Sequence, residues 1–218
     1  MRLILKISPN NTLVPFNYQK YLVGCFHKWL GENKQHDDVS LYSLSWLQGG
    51  EMVKGGLKFK HGSEWSLSAY HSSLLKTLVI NIKEDPKINF GMGVEDIVIM
   101  KDPPFENKQK FFLNSPVFIK RNQGDRIHYY LFNDSESDEL MTRTLQTKLK
   151  KADLDSEGVR VSFDRSYHSP KTKMIDYNEI SCRASMCPVF IEGSQEQVAF
   201  AWNVGIGNST GIGFGALK

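Results

Sequence analysis

The hydrophobic period switches several times along the first hundred residues, and the order of those switches limits the fold more than any other feature of the chain. Leu3, Leu5 and Ile7 alternate with Arg2 and Lys6, the period of a half-buried strand. From Phe16 the period becomes helical. Tyr18, Leu22, Cys25, Phe26 and Trp29 fall on one face, and Gly31 marks a stop. Residues 39–47 return to a strand pattern, and Gly49, Gly50, Gly55 and Gly56 mark loops. Residues 57–59 and 65–69 predict a hairpin about His61-Gly62; residues 74–82 predict a short helix leading into a strand; residues 94–100 predict a further strand. Strand, helix, strands, helix, strand is the plan of a ferredoxin-like unit, with helices on one face of an antiparallel sheet.

The plan then recurs. Residues 101–110 carry Pro103, Pro104 and many charges, and predict a linker. Strands are expected over 115–121 and 127–132, then a helix over 136–151 capped by Asp134 or Ser135. Val159, Val161 and Phe163 alternate with Arg160 and Ser162. A closing hairpin is expected over 188–192 and 197–204, with Val198, Phe200, Trp202 and Val204 on one face of its second arm. Residues 164–181, polar and basic, predict an insertion. The repeat is architectural, not a repetition of sequence. The chain is therefore read as α+β, with two tandem ferredoxin-like (RRM-like) βαββαβ domains: 1–100, a linker over 101–110, and 111–218. At 40% hydrophobic residues it can build a real core.

Composition excludes little else. A net charge of +3 is too mild to establish nucleic-acid binding by itself. Local clustering says more: Lys148, Lys150 and Lys151 close the predicted helix, and Arg160, Arg165, Lys171 and Lys173 follow. Cys25, Cys182 and Cys187 are odd in number and lack zinc-finger spacing, which points to free buried thiols in a reducing cytoplasm. No apolar run is long enough to cross a bilayer, and MRLILKIS does not have the form of a signal peptide. No acidic run suggests a two-metal nuclease. The expectation is a cytoplasmic protein with no membrane segment, metal or cofactor.

The segment after Val204 reads Gly205-Ile-Gly207-Asn-Ser-Thr-Gly211-Ile-Gly213-Phe-Gly215, five glycines in eleven residues. Such a segment can present successive backbone N–H groups and let a phosphate backbone approach without an intervening side chain. It is not a P-loop, since no Lys-Ser/Thr pair follows, and it does not match the dinucleotide fingerprint, since no helix follows. A turn packed on its own sheet is the other reading of these residues. The density of glycine favours a nucleic-acid surface that includes Gly205, Gly207, Asn208, Ser209, Gly211 and Gly213.

This segment, continued to Ala-Leu-Lys218, resembles the C-terminal signature of the CRISPR repeat-processing endoribonucleases of the RAMP superfamily. Val14-Pro-Phe-Asn-Tyr18 ahead of Tyr21-Leu-Val-Gly24 is similar to the family's first helix, Tyr42-Ser-Leu-Ser-Trp46 to its second strand, and Asn114-Ser-Pro-Val117 to its entry into the second domain. The resemblance implies tandem ferredoxin-like domains, a precursor CRISPR RNA repeat as substrate, and metal-independent cleavage by 2′-hydroxyl attack. The products would be a 2′,3′-cyclic phosphate and a 5′-hydroxyl. A CRISPR effector complex and a homodimer are further partners it allows. Such chemistry needs a proton acceptor, a proton donor and donors to the charged phosphorane.

Histidine suits proton transfer near neutrality. Of the six, His27 shares a helical stripe with Lys20, Gly24 and Gly31, opposite the apolar face, and His36 lies in the polar loop 32–38. By the resemblance, His27 matches a helix position that is Tyr in some relatives, and His36 matches the family's loop histidine. His61, His71, His128 and His168 read as ordinary surface residues. Where some relatives have a lysine before the second strand, this chain has Ser40; Tyr42 or Lys34 are candidate replacements. Lys148, Lys151, Arg160 and Arg165 are candidate phosphate contacts. Phe105, Phe111 and Phe112 read as core rather than as base-stacking residues. Two other functions stay open: a non-catalytic RAMP subunit that only binds crRNA, and a ferredoxin-like regulator that binds a metabolite.

Overall fold

The computed structural model describes residues 1–31, 39–124, 126–177 and 180–218. In chain order the elements are β1 (Arg2–Ile7), α1 (Gln19–Leu30), β2 (Tyr42–Leu44), β3 (Glu51–Val53), β4 (Gly56–Lys58), β5 (Ser63–Ala69), α2 (Ser72–Glu84) and β6 (Val94–Met100). There follow β7 (Lys108–Phe111), β8 (Ile119–Gln123), β9 (Arg126–Tyr130), α3 (Ser137–Lys151), β10 (Arg160–Phe163), β11 (Lys171–Tyr177), β12 (Ile180–Met186), β13 (Val189–Glu192) and α4 (Gln195–Val204), with a short 3-10 turn at Thr210–Ile212.

The first sheet has the order β2-β5-β1-β6, antiparallel throughout. Leu3, Leu5 and Ile7 of β1, Trp65 and Leu67 of β5 and Leu44 of β2 meet the apolar faces of α1 and α2 in one core centred on Trp29 and Trp65. Each such side chain contributes roughly 1.5–3 kcal/mol on burial. The second sheet runs β10-β13-β7 and is covered by α3 and α4. Its missing fourth strand is replaced by the chain's last residues: Leu217 bridges antiparallel to Leu113, and Lys218 N donates to Phe112 O. Both sheets therefore follow the same ferredoxin-like order. The seam between them is polar as well as apolar. The Arg2 guanidinium lies 3.6 Å over the Trp202 ring and donates to Ser68 Oγ and Trp202 O, and burial lowers its pKa to about 10.

Four expectations about local structure are corrected. Residues 197–204 form α4, not a strand. From Gln197 on this helix is buried apart from half-buried Ala199, so it shows little amphipathic stripe and its alternating apolar residues imitate a strand. Its start is written in the sequence all the same, because Ser194 and Gln197 form a reciprocal capping box. Residues 57–59 do not pair with 65–69; β4 pairs with β3 around Lys54-Gly55, and β5 enters the main sheet. Residues 74–82 stay helical to Glu84, with Leu74, Leu75, Leu78 and Ile82 on the buried side. The segment expected as linker is irregular only to Asn107, since Lys108–Phe111 is β7, which pairs with β13. The expected insertion is the hairpin β11-β12, outside both main sheets.

Two glycines give opposite expected outcomes on substitution. Gly215 has φ +62°, and a Cβ there would run into the Ile206 carbonyl, so Gly215→Ala is expected to cost at least about 2 kcal/mol in urea unfolding. Gly24 lies within α1 and faces open space, so Gly24→Ala is expected to stabilise by about 0.5–1 kcal/mol in the same measurement.

Candidate active site

The glycine-rich segment is not a free loop. Gly205, Gly207, Gly211, Gly213 and Gly215 are all buried, while Asn208, Ser209 and Ile212 are half-buried. Ile206 N donates to Gly215 O, Gly215 N to Pro116 O, and Asn208 N to Phe118 O, so the segment folds back on itself and on the entry to the second unit. The segment is thus a packed turn; of the residues expected to form a nucleic-acid surface, Gly207, Asn208, Ser209 and Gly211 line a cleft, and Gly205 and Gly213 lie outside its lining. The glycines allow close packing, and the residues between them line a cleft.

That cleft, of about 660 Å³, collects parts from distant places in the sequence. One wall carries His27 of α1, Tyr42 of β2 and, just ahead of that strand, Ser40. The opposite wall carries Arg121 of β8 and Arg143 and Thr144 of α3. Residues 207–212 form the floor. His27 is half-buried and meets Phe26 edge-on; the Tyr42 ring stacks on Phe26 at 4.9 Å. Burial raises the Tyr42 pKa, against a smaller lowering by a hydrogen bond with Ser40. A Cβ at Gly211 would stand 2.5 Å from Ser40 Oγ and 3.0 Å from the Tyr42 hydroxyl, so this glycine makes room for both.

Arg121 was not legible as a site residue. It donates to Asn208 Oδ1 (3.1 Å), Leu140 O and Thr144 Oγ1 (both 3.0 Å), which fixes Asn208 at the cleft floor. Asn208 Oδ1 also accepts from Lys120 N. Burial lowers the Arg121 pKa. Arg143 is exposed and pairs with Glu139 one turn back. The stripe Arg143-Thr147 and Thr144-Lys148, at i,i+4 spacing, was the signal that α3 faces something polar.

Of the basic residues expected to contact phosphate, Lys148 is corrected. It is only 3% exposed, and its Nζ donates to Val204 O (2.9 Å), Gly205 O (3.3 Å) and Thr210 Oγ1 (2.8 Å). A lysine near a helix end looks solvated in sequence; here α4 and the glycine segment cover it. Lys151 and Arg160 are exposed and lie outside the cleft lining, and Arg165 pairs with Asp138 at 2.5 Å. His36 and Lys34 lie outside the described residues. Phe105 and Phe111 are buried, whereas Phe112 is 50% exposed beside Tyr167 and Lys110, so it is not core. The three cysteines are free and buried. Among the described residues no helix is long and apolar enough to cross a membrane.

Comparison with known proteins agrees with this architecture. Residues 100–218 match the family model for CRISPR-associated protein Cas6, C-terminal. CRISPR-associated endoribonuclease Cas6 1 of Methanocaldococcus jannaschii is 24% identical over 100% of this chain and 92% of its own length. A solved structure of a Cas6-related protein from Pyrococcus furiosus superposes with a TM-score of 0.87 at 21% identity, covering 100% of this chain and 97% of that one. A RAMP protein that binds different RNA substrates gives 0.85 at 16% identity, covering 100% and 98%.

Burial alone lowers the Lys148 pKa to about 7. An unfolded chain keeps this proton up to the ordinary value of 10.5. Between those values the unfolded state binds more protons, so the contribution of Lys148 to stability rises with pH. In urea titrations the stability difference between wild type and Lys148→Met is expected to move in favour of wild type as pH increases from 7 to 10. A pH-independent difference would contradict this assignment.

Proposed function

The chain belongs to the Cas6 family of CRISPR-associated proteins, and from that premise we propose that it cuts precursor CRISPR RNA within the repeat, without metal, in the cleft between α1-β2 and α3. One observation carries this reading: His27 and Tyr42, from the start of the chain, and Asn208 to Thr210, from its end, line a single cleft.

In the proposed reaction a histidine takes the proton of the 2′-hydroxyl as its oxygen attacks the adjacent phosphorus. A second acid protonates the 5′-oxygen as the bond from phosphorus to that oxygen breaks. A 2′,3′-cyclic phosphate and a 5′-hydroxyl result. His27 and His36 are the proposed proton-transfer pair. Tyr42, with its pKa raised by burial, stays protonated at neutral pH and serves as a donor, not as a base. Arg121 and Arg143, on the opposite wall, are the proposed donors to the phosphorane, the role that the Ser40 position does not supply. The half-buried Asn208-Ser209 edge is the proposed seat of the RNA backbone, and Lys151, Arg160 and Arg165 are proposed to meet the flanking phosphates. Ser40, in place of the lysine of some relatives, favours a second reading, a RAMP subunit that holds crRNA without cutting it.

Radiolabelled repeat RNA incubated with the protein in EDTA separates the two. Site-specific cleavage to a cyclic phosphate is expected, and a 2′-deoxy substitution at the cut site should leave the RNA bound and intact. His27→Ala and His36→Ala are each expected to slow cleavage by about 10²–10⁴-fold. Binding without cleavage would establish the second reading. Wild-type rates in both histidine variants would remove these two residues from the mechanism.

A further inference from the structure

Among the described residues, Lys148 is the one fully buried lysine or arginine that lines the cleft. Its three hydrogen bonds match the three protons of its ammonium form, so in that form no proton is left for a substrate phosphate. Two of the acceptors, Val204 O and Gly205 O, lie at the C-terminal end of α4, where helix carbonyls lack internal partners and the dipole favours positive charge. The third, Thr210 Oγ1, donates in turn to Tyr42 O at 2.9 Å. The line Lys148 Nζ, Thr210 Oγ1, Tyr42 O therefore runs from α3, through the glycine segment, to the strand that carries the cleft tyrosine.

We propose that Lys148 is a positioning residue for RNA cleavage, acting through Thr210 to hold the glycine segment and β2 in the register that the reaction needs. This rests on the reading of the cleft as the cutting site. Displacement of that segment would move the Asn208-Ser209 edge and Tyr42 relative to each other, while the basic residues outside the cleft would still hold the RNA. The role is thus expressed in the rate of cutting more than in binding. The other titratable or charged groups that line the cleft near it are His27 of α1, Tyr42 of β2, Arg121 of β8 and Arg143 of α3 itself. No carboxylate contributes to the shift of its pKa, which burial alone causes.

The test uses the full chain, a synthetic RNA carrying the CRISPR repeat of the source genome, and enzyme in excess, so that binding and cutting are read separately. Lys148→Met keeps the length of the side chain and removes its donors. Saturating concentration is expected to stay near wild type while the maximal rate falls by about 100-fold, the scale of a misplacement near 1 Å. Thr210→Val removes the relay at constant shape and is expected to slow cutting by about tenfold. Thr210→Ser keeps the hydroxyl and is expected to restore the wild-type rate. If Lys148→Met does not fold, the Thr210 pair decides the matter. Wild-type rates in Lys148→Met and Thr210→Val would overturn the inference and leave the cleft reading intact. Equal losses of binding and cutting, with Thr210→Ser no better than Thr210→Val, would also overturn it, because they mark a structural role alone. Failure of the wild-type protein to cut would overturn both.

Discussion

The C-terminal end of α4 is a buried helix terminus, and a buried terminus must have its carbonyls satisfied. Ala201 O accepts from Gly205 N within the cap. The next three carbonyls are met from three other elements: Trp202 O by Arg2 of β1, Asn203 O by Ser43 of β2, and Val204 O by Lys148 of α3. Leaving one such acceptor unpaired in the interior costs about 1–3 kcal/mol, so these donors are held in place by the energetics of the helix end. The same three elements are thereby drawn to one point. One wall of the cleft follows from the position of β2, the other from α3, and the floor from the glycine segment that leaves α4 between them.

That segment works under a second constraint, close approach of backbone to backbone. Gly205 and Gly207 adopt positive φ, and a Cβ at Gly205 would meet Gly215 O and Ser43 Cβ. Glycine is the residue that meets both demands. The chain can then turn back within a few residues, leave Asn208 and Ser209 at the cleft, and finish with Leu217 beside Leu113 as a one-residue substitute for a strand. Arg121 completes the arrangement by fixing Asn208 from β8. The site is therefore shaped by elements that each have a structural reason to be where they are.

Much of this was legible in the sequence. The period of two in Leu3-Leu5-Ile7 and the helical stripe of Leu22, Cys25, Phe26 and Trp29 place the first unit correctly because each element has one wet and one dry face. Of the residues that the sequence singled out, His27, Tyr42, Gly207 and Gly211 fall together in the lining of one cleft, and their roles there are a proposal. The failures have physical causes. Helix α4 exposes only Gln195 and Glu196 in its first turn and is buried from Gln197 on apart from half-buried Ala199, so periodicity has little to report there. Lys148 reads as a surface lysine, because sequence does not show that α4 and the glycine segment close over it. Arg121 sits in a short strand of a two-stranded hairpin, where nothing local marks it as facing a cleft that is completed by residues 87 positions later.

In the proposed function RNA is cut in the cleft whose floor is Asn208 to Thr210. The most direct measurement is a crystal structure of the protein with a repeat RNA carrying a 2′-deoxy sugar at the cut site. The scissile phosphate should lie in that cleft, with His27 and Arg121 within hydrogen-bonding reach. A scissile phosphate seated elsewhere, for example in the groove lined by Arg2, Phe105 and Trp202 between the two sheets, would contradict the claim.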